Sequence, residues 1–222
     1  FASWDAAFAQ PQLAQAVINC TMDQMHIAST LAALNAGYDV LLEKPMAVTP
    51  DECRLLVNTA ENLGRTLQIC HVLRYTHFFN TLYKIVNSGR LGRVITIDHR
   101  ENVSFWHMSH SYVRGNWRNA GTSAPMILAK CCHDLDILIW IMQQRVARLS
   151  SFGRLTHYRK ENAPPDGPLR CTDGCPIEKE CAWYAPKLYG ALEGVPEQSR
   201  FMVNAMNGTS LMNENASTNA IG

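Results

Sequence analysis

Apolar and polar positions come in alternating blocks along the first 70 residues, and the blocks predict strands and helices in turn. Ala16-Val17-Ile18-Asn19-Cys20 is a short apolar run that predicts a buried strand. A helix follows over about 24–36, with Ile27, Leu31 and Leu34 on one face and Gly37 as its stop. Asp39-Val40-Leu41-Leu42 predicts a second strand. Thr49-Pro50-Asp51-Glu52 then carries a complete helix start: Thr49 caps, Pro50 takes the first helical position, and Glu52 closes a capping box. Cys53, Leu56, Val57, Ala60 and Leu63 form the apolar stripe of that helix, Gly64 ends it, and a third strand is expected over 66–70. Parallel strands joined by crossover helices, with helices covering the sheet, satisfy this order.

After His71 the rhythm changes. A helix is expected over about 78–87, ended by Ser88-Gly89. Across 94–103, Val94, Thr96, Asp98 and Arg100 alternate with Ile95, Ile97, His99 and Glu101, which predicts a strand in a sheet with one wet face. A short buried helix is expected over 134–142 and another strand over 146–155. From about Asn162 the chain is rich in Pro, Gly and Cys and should be irregular. From Glu197 onward, Asn, Ser, Thr, Met and Ala follow without periodicity, so a poorly ordered tail is expected.

Composition narrows the picture. With 222 residues, 47% apolar and 18% charged, the chain should fold as one large or two small globular domains. A net charge of +1 gives no electrostatic reason to expect nucleic acid or an anionic membrane as partner. The longest uncharged apolar run, 137–142, is far too short to cross a bilayer. The opening Phe1-Ala2-Ser3-Trp4-Asp5 lacks both a signal-peptide pattern and an initiator Met, so residues are expected upstream. Of the eight cysteines, Cys20, Cys53 and Cys70 fall in apolar segments; the distribution favours a reducing compartment, the cytoplasm, over a disulfide scaffold.

Two segments could carry chemistry. Glu43-Lys44-Pro45 directly follows the second strand, and ligands of open parallel sheets bind beyond the carboxyl ends of strands. Lys44 there could donate to a substrate oxygen, and a cis bond to Pro45 would aim it; the same three residues also suit a surface loop with a solvated lysine. The second segment is Lys130-Cys131-Cys132-His133-Asp134-Leu135-Asp136, at the start of an apolar helix. His133 could relay a proton near neutral pH, or simply be a hydrogen-bonded core residue. Asp134 and Asp136 favour the positive end of that helix.

Taken in order, Cys20-Thr21-Met22-Asp23-Gln24-Met25-His26, Ala33-Leu34-Asn35-Ala36-Gly37, Glu43-Lys44-Pro45, Arg74-Tyr75, Gly89-Arg90-Leu91-Gly92, Trp117-Arg118 and His133-Asp134-Leu135-Asp136 resemble the Gfo/Idh/MocA family, that of glucose-fructose oxidoreductase and inositol dehydrogenase. The resemblance runs from the first residues to about Tyr189. It implies an α/β protein: a partial Rossmann-type parallel sheet over 1–72, then an α/β domain with an open, mainly antiparallel sheet over 73–196, and a tail over 197–222. It also implies an NAD- or NADP-dependent oxidoreductase that moves hydride between the nicotinamide and a sugar or polyol hydroxyl, in a homo-oligomer. The roles it transfers are Lys44 and His133 as catalytic pair. Thr21, Met22, His26, Glu43, Lys44, Pro45 and Arg74 would lie toward the cofactor, and Trp117, Arg118 and Lys130 toward the substrate.

Three departures qualify that expectation. No glycine-rich turn to cradle the pyrophosphate precedes Phe1, so these residues alone should not bind a dinucleotide in the usual way. Many family members place an Asp four residues before the catalytic His, where this chain has Ala129, followed by Lys130. Further strands expected after Tyr189 give way to the Asn- and Ser-rich tail. A catalytically silent binding protein on the same fold is therefore an alternative. Another is a metal-binding module: Cys171, Cys175 and Cys181 could hold a structural zinc, with His157 or another Cys as fourth ligand. His107 and His110 suit the lining of a substrate cleft or a plain loop.

Overall fold

The computed structural model describes residues 1–190, and the expected tail over 197–222 lies outside them. Three parallel strands form the sheet in the order β1 (Ala16–Asn19), β2 (Asp39–Leu42), β3 (Leu67–Ile69), with Ala16 opposite Asp39 and Val40 opposite Leu67. After a short helix α1 (Trp4–Phe8) come the crossovers α2 (His26–Asn35) and α3 (Pro50–Leu63). Both start and stop where local chemistry directs. Gly37 takes a positive φ after α2. Thr49 and Glu52 form the full capping box of α3, and Gly64 ends it at φ 61°, a left-handed conformation that costs an L side chain energy.

The core lies on one face of the sheet, where Val40 and Leu42 of β2 meet Ala33 and Leu34 of α2 and Leu56 and Ala60 of α3. The opposite face is open, because Ile18 and Leu41 remain exposed. β1 is therefore an edge strand with one bare face rather than the buried strand expected: side chains alternate across a strand, and only the face toward α2 has a layer to pack on. The stripe on α3 narrows for the same reason, with Val57 and Leu63 left at the surface.

Beyond the sheet, α4 (His77–Asn87) packs against α7 (Cys132–Met142) through a stacked pair, Tyr83 and Trp140, with ring centroids 4.2 Å apart. Between them lie the short α5 (Phe105–Met108) and α6 (Met126–Ala129). The apolar residues of α7 are not all buried as expected; Ile137 and Ile141 are, whereas Leu135 and Ile139 are exposed. The strands expected over 94–103 and 146–155 do not form among the described residues. Alternation fixes which side chains share a face, but a strand also requires a hydrogen-bonded neighbour, and neither segment has one here. Ile95, Ile97, Leu149 and Phe152 stay exposed. The open antiparallel sheet is thus absent from the described residues.

Packing divides the chain into a unit of Phe1–Ser151 and a second unit beginning at Phe152. In the second, a run of turns leads to α8 (Ala185–Gly190), and Trp183 Nε1 donates to the Tyr158 hydroxyl at 2.9 Å. Among the described residues, no helix is long and apolar enough to cross a membrane.

Candidate active site

The loop after β1 is built on Asn19, a buried amide with every polar atom engaged. Its Nδ2 donates to Ser29 Oγ at 2.8 Å and Thr30 Oγ1 at 2.9 Å, and its Oδ1 accepts from the Thr21 amide and hydroxyl. An unpaired amide there would be costly, so this knot fixes Thr21 and Met22 at the carboxyl end of the strand. His26, 1% exposed, ties that loop to the next one: Nδ1 lies 2.8 Å from the Pro45 carbonyl and Nε2 3.0 Å from that of Thr21. Both ring nitrogens are occupied, so His26 braces the two loops from behind rather than offering a nitrogen to a ligand.

The Lys44–Pro45 bond is cis, and Pro45 is buried. Lys44, half-buried, carries its Nζ to the carbonyl oxygen of Ala129 at 3.0 Å, at the end of α6. His133 lies one turn onward, in the first turn of α7. Burial lowers the His133 pKa, and the Lys44 charge pushes it further in the same direction. The ring is therefore neutral at pH 7 and able to accept a proton. The structure brings Lys44 near Lys130 and His133, so two segments far apart in sequence meet here.

His71, just beyond β3, also belongs to this group, and sequence reasoning passed over it. Its ring meets His133 edge-on at 5.9 Å between centroids, and its Nε2 lies 3.8 Å from Asp136 Oδ1. Burial outweighs the Asp136 charge and holds His71 below its ordinary pKa, so the contact is not an ion pair at neutral pH. Among the described residues, the buried Nδ1 atoms of His71 and His133 have no hydrogen-bond partner. Arg74 instead takes Asp136 with its guanidinium fork, Nε to Oδ2 at 2.7 Å, and lies over the Trp140 ring at 5.8 Å. Arg74 thus clamps α7 to the end of the sheet, and its donors toward Asp136 are committed. Asp134 similarly accepts from His99, Nε2 to Oδ1 at 2.6 Å.

Trp117 and Arg118 stand on the other side of the Met22 loop. Trp117 Nε1 donates to the buried Asp23 at 2.8 Å, and Arg118 donates to the Gly115 carbonyl at 3.1 Å. A side chain at Gly115 would collide with the His110 carbonyl, so the turn requires glycine. Met22, Gln24, Asn116, Arg118, Asn119 and Thr122 line an open cavity of about 450 Å³. Lys44 and His133 do not line it. Its amide and guanidinium donors fit the polar groups of a nucleotide in kind. Glu43 stays close to its own turn, accepting from the Lys44 amide.

The zinc expectation is not met. Among the described residues no group of three or more His, Cys, Asp or Glu side chains is placed to hold a metal ion. Cys171, Cys175 and Cys181 are free thiols spread over successive turns, and spacings of four and six do not converge as paired C-x-x-C ligands do. His157 instead packs against Trp183, ring centroids 4.5 Å apart.

Residues 1–71 match the family model described as oxidoreductase family, NAD-binding Rossmann fold, and residues 79–210 match the GFO/IDH/MocA C-terminal domain. The chain is 28% identical over 166 residues to 1-carboxy-3-chloro-3,4-dihydroxycyclohexa-1,5-diene dehydrogenase of Comamonas testosteroni, covering 74% of this chain and 41% of that protein. It is 29% identical over 157 residues to inositol 2-dehydrogenase 2 of Saccharopolyspora erythraea, covering 68% of this chain and 41% of that one. Among solved structures, myo-inositol 2-dehydrogenase from Lactobacillus plantarum shares the fold with a TM-score of 0.54 at 19% identity, over 65% of this chain and 42% of that one. The chain therefore spans about two fifths of the length of the curated relatives it matches.

Proposed function

This chain belongs to the GFO/IDH/MocA oxidoreductase family, and from that premise we propose that it carries the catalytic pair of an NAD- or NADP-dependent dehydrogenase acting on a sugar or polyol hydroxyl. The observation that carries the reading is the meeting of Lys44 with the α6–α7 segment: Nζ rests on the Ala129 carbonyl, and its charge acts on His133. Relatives named inositol 2-dehydrogenase support a polyol as the substrate class.

Oxidation of a secondary alcohol breaks one C–H and one O–H bond and forms C=O. The bound nicotinamide supplies the hydride acceptor. Lys44 donates a hydrogen bond to the hydroxyl oxygen, which gains negative charge as hydride departs, and neutral His133 takes the proton. His71 and the Arg74–Asp136 clamp position His133. Thr21 and Met22 border the cofactor, with Pro45 and His26 holding that loop; Arg118 lines the polar cavity, and Trp117, bonded to Asp23, lies toward the substrate. The eight free thiols suit a reducing cytoplasm. A homo-oligomer completes the proposal.

The test is Lys44→Ala in the full-length gene product. Turnover should fall by about 10²–10⁴-fold while dinucleotide binding, followed by fluorescence, persists. Unchanged turnover would remove Lys44 from catalysis. A wild-type protein that binds dinucleotide yet turns over no polyol would be a silent binding protein.

A further inference from the structure

Lys130 is the feature of this site that the reaction leaves unused. Lys44 Nζ sits on the carbonyl of the peptide that leads into Lys130, so two ammonium-bearing residues share one half-buried region. Burial lowers the Lys130 pKa first, and the Lys44 charge adds to it. Burial, Lys130, His110 and Lys44 together drive His107 down to about 4, so this neighbouring base stays neutral and adds no positive charge.

The nearby carboxylates do not balance this excess. Asp136 is held by Arg74 and Asp134 by His99, and among the described residues neither Lys44 nor Lys130 has an ion pair. Glu101, whose charge reaches Lys130, is itself exposed. Two partly desolvated cations without an ion-pair partner among the described residues repel each other, a cost that a bound anion would relieve. One free ammonium suits a singly charged group. A phosphate dianion is held best with a guanidinium fork beside the ammonium, and Arg118 donates to the Gly115 carbonyl and lines the polar cavity instead.

We propose that Lys130 is the binding residue for a carboxylate on the substrate, so that the substrate class is a polyhydroxylated acid, a sugar acid or carboxylated cyclitol, whose hydroxyl reacts at Lys44. This rests on the oxidoreductase reading. It assigns Lys130 to substrate selection, while proton transfer stays with His133.

The experiment measures dinucleotide reduction by the full-length gene product with three matched sets: hexuronates and aldonates, the corresponding neutral sugars and alditols, and hexose 6-phosphates. The acids should exceed their neutral counterparts in kcat/KM by about tenfold or more, the worth of one charge-assisted hydrogen bond. Lys130→Gln should collapse that ratio toward one, and Lys130→Arg should keep it. The proposal is overturned if neutral sugars or phosphates react best, if Lys130→Gln leaves the ratio unchanged, or if Lys130→Gln weakens dinucleotide binding instead, which would assign Lys130 to the cofactor phosphates. Reaction of neutral sugars alone overturns the proposal but leaves the oxidoreductase reading standing. No reaction with any set removes both.

Discussion

Lys44 and Ala129 are joined by a hydrogen bond of 3.0 Å that spans 85 residues of sequence, from the end of β2 to the end of α6. Here the backbone carbonyl takes the ammonium, so the lysine is oriented without a neutralising charge. The site keeps its positive potential, and the consequences reach His133, Lys130 and His107.

His133 should titrate below 6.5, because burial and the Lys44 charge both favour the neutral ring. Removing that charge with Lys44→Met should move the His133 pKa upward, whereas Asp136→Asn, which deletes an attractive charge, should move it further down. Histidine-labelled NMR titration of the three proteins reads the order directly.

The Arg74–Asp136 clamp should support stability as well as position. Asp136 is 11% exposed, and its loss leaves a partly buried guanidinium without its partner. Asp136→Ala should lower unfolding stability by about 1–3 kcal/mol, measured by urea denaturation. A loss no larger than that of an exposed pair such as Arg100–Asp98 would show the clamp to be incidental.

Acid should destabilise the fold through His107. Its folded pKa of about 4 lies below the ordinary 6.5, so between those values the unfolded chain takes up a proton that the folded chain refuses. This stability is fully present above 6.5 and is lost as pH falls toward 4. The Tm should decline over that window, and His107→Gln should flatten the decline.

The capping box of α3 is local and should act locally. Thr49→Ala should cost about 1 kcal/mol, and Gly64→Ala, at φ 61°, a similar amount. Thermal unfolding of each variant checks both.

What the sequence disclosed follows from range. Thr49, Pro50, Glu52 and Gly64 specify α3 within a few residues of themselves, and the bounds of β2 were legible from four residues. Glu43-Lys44-Pro45 and His133-Asp134 were legible as a pair through the order of motifs. His71 was not, because its significance lies in Asp136, 65 positions away, with no periodic signal linking them. The acceptor for Lys44 was equally hidden, since a backbone carbonyl has no residue identity. The segments at 94–103 and 146–155 show the converse: their alternation is plain, but pairing is a property of two strands. The thiols at Cys171, Cys175 and Cys181 attracted a metal reading by type, and geometry rather than type decides that question.

The most direct measurement is a crystal structure of the full-length gene product with NAD(P) and a polyol or sugar acid bound. The account predicts one substrate hydroxyl within hydrogen-bond distance of both Lys44 Nζ and the His133 imidazole, with its carbon facing the nicotinamide. A substrate seated away from both nitrogens, or the two facing different ligands, would contradict it.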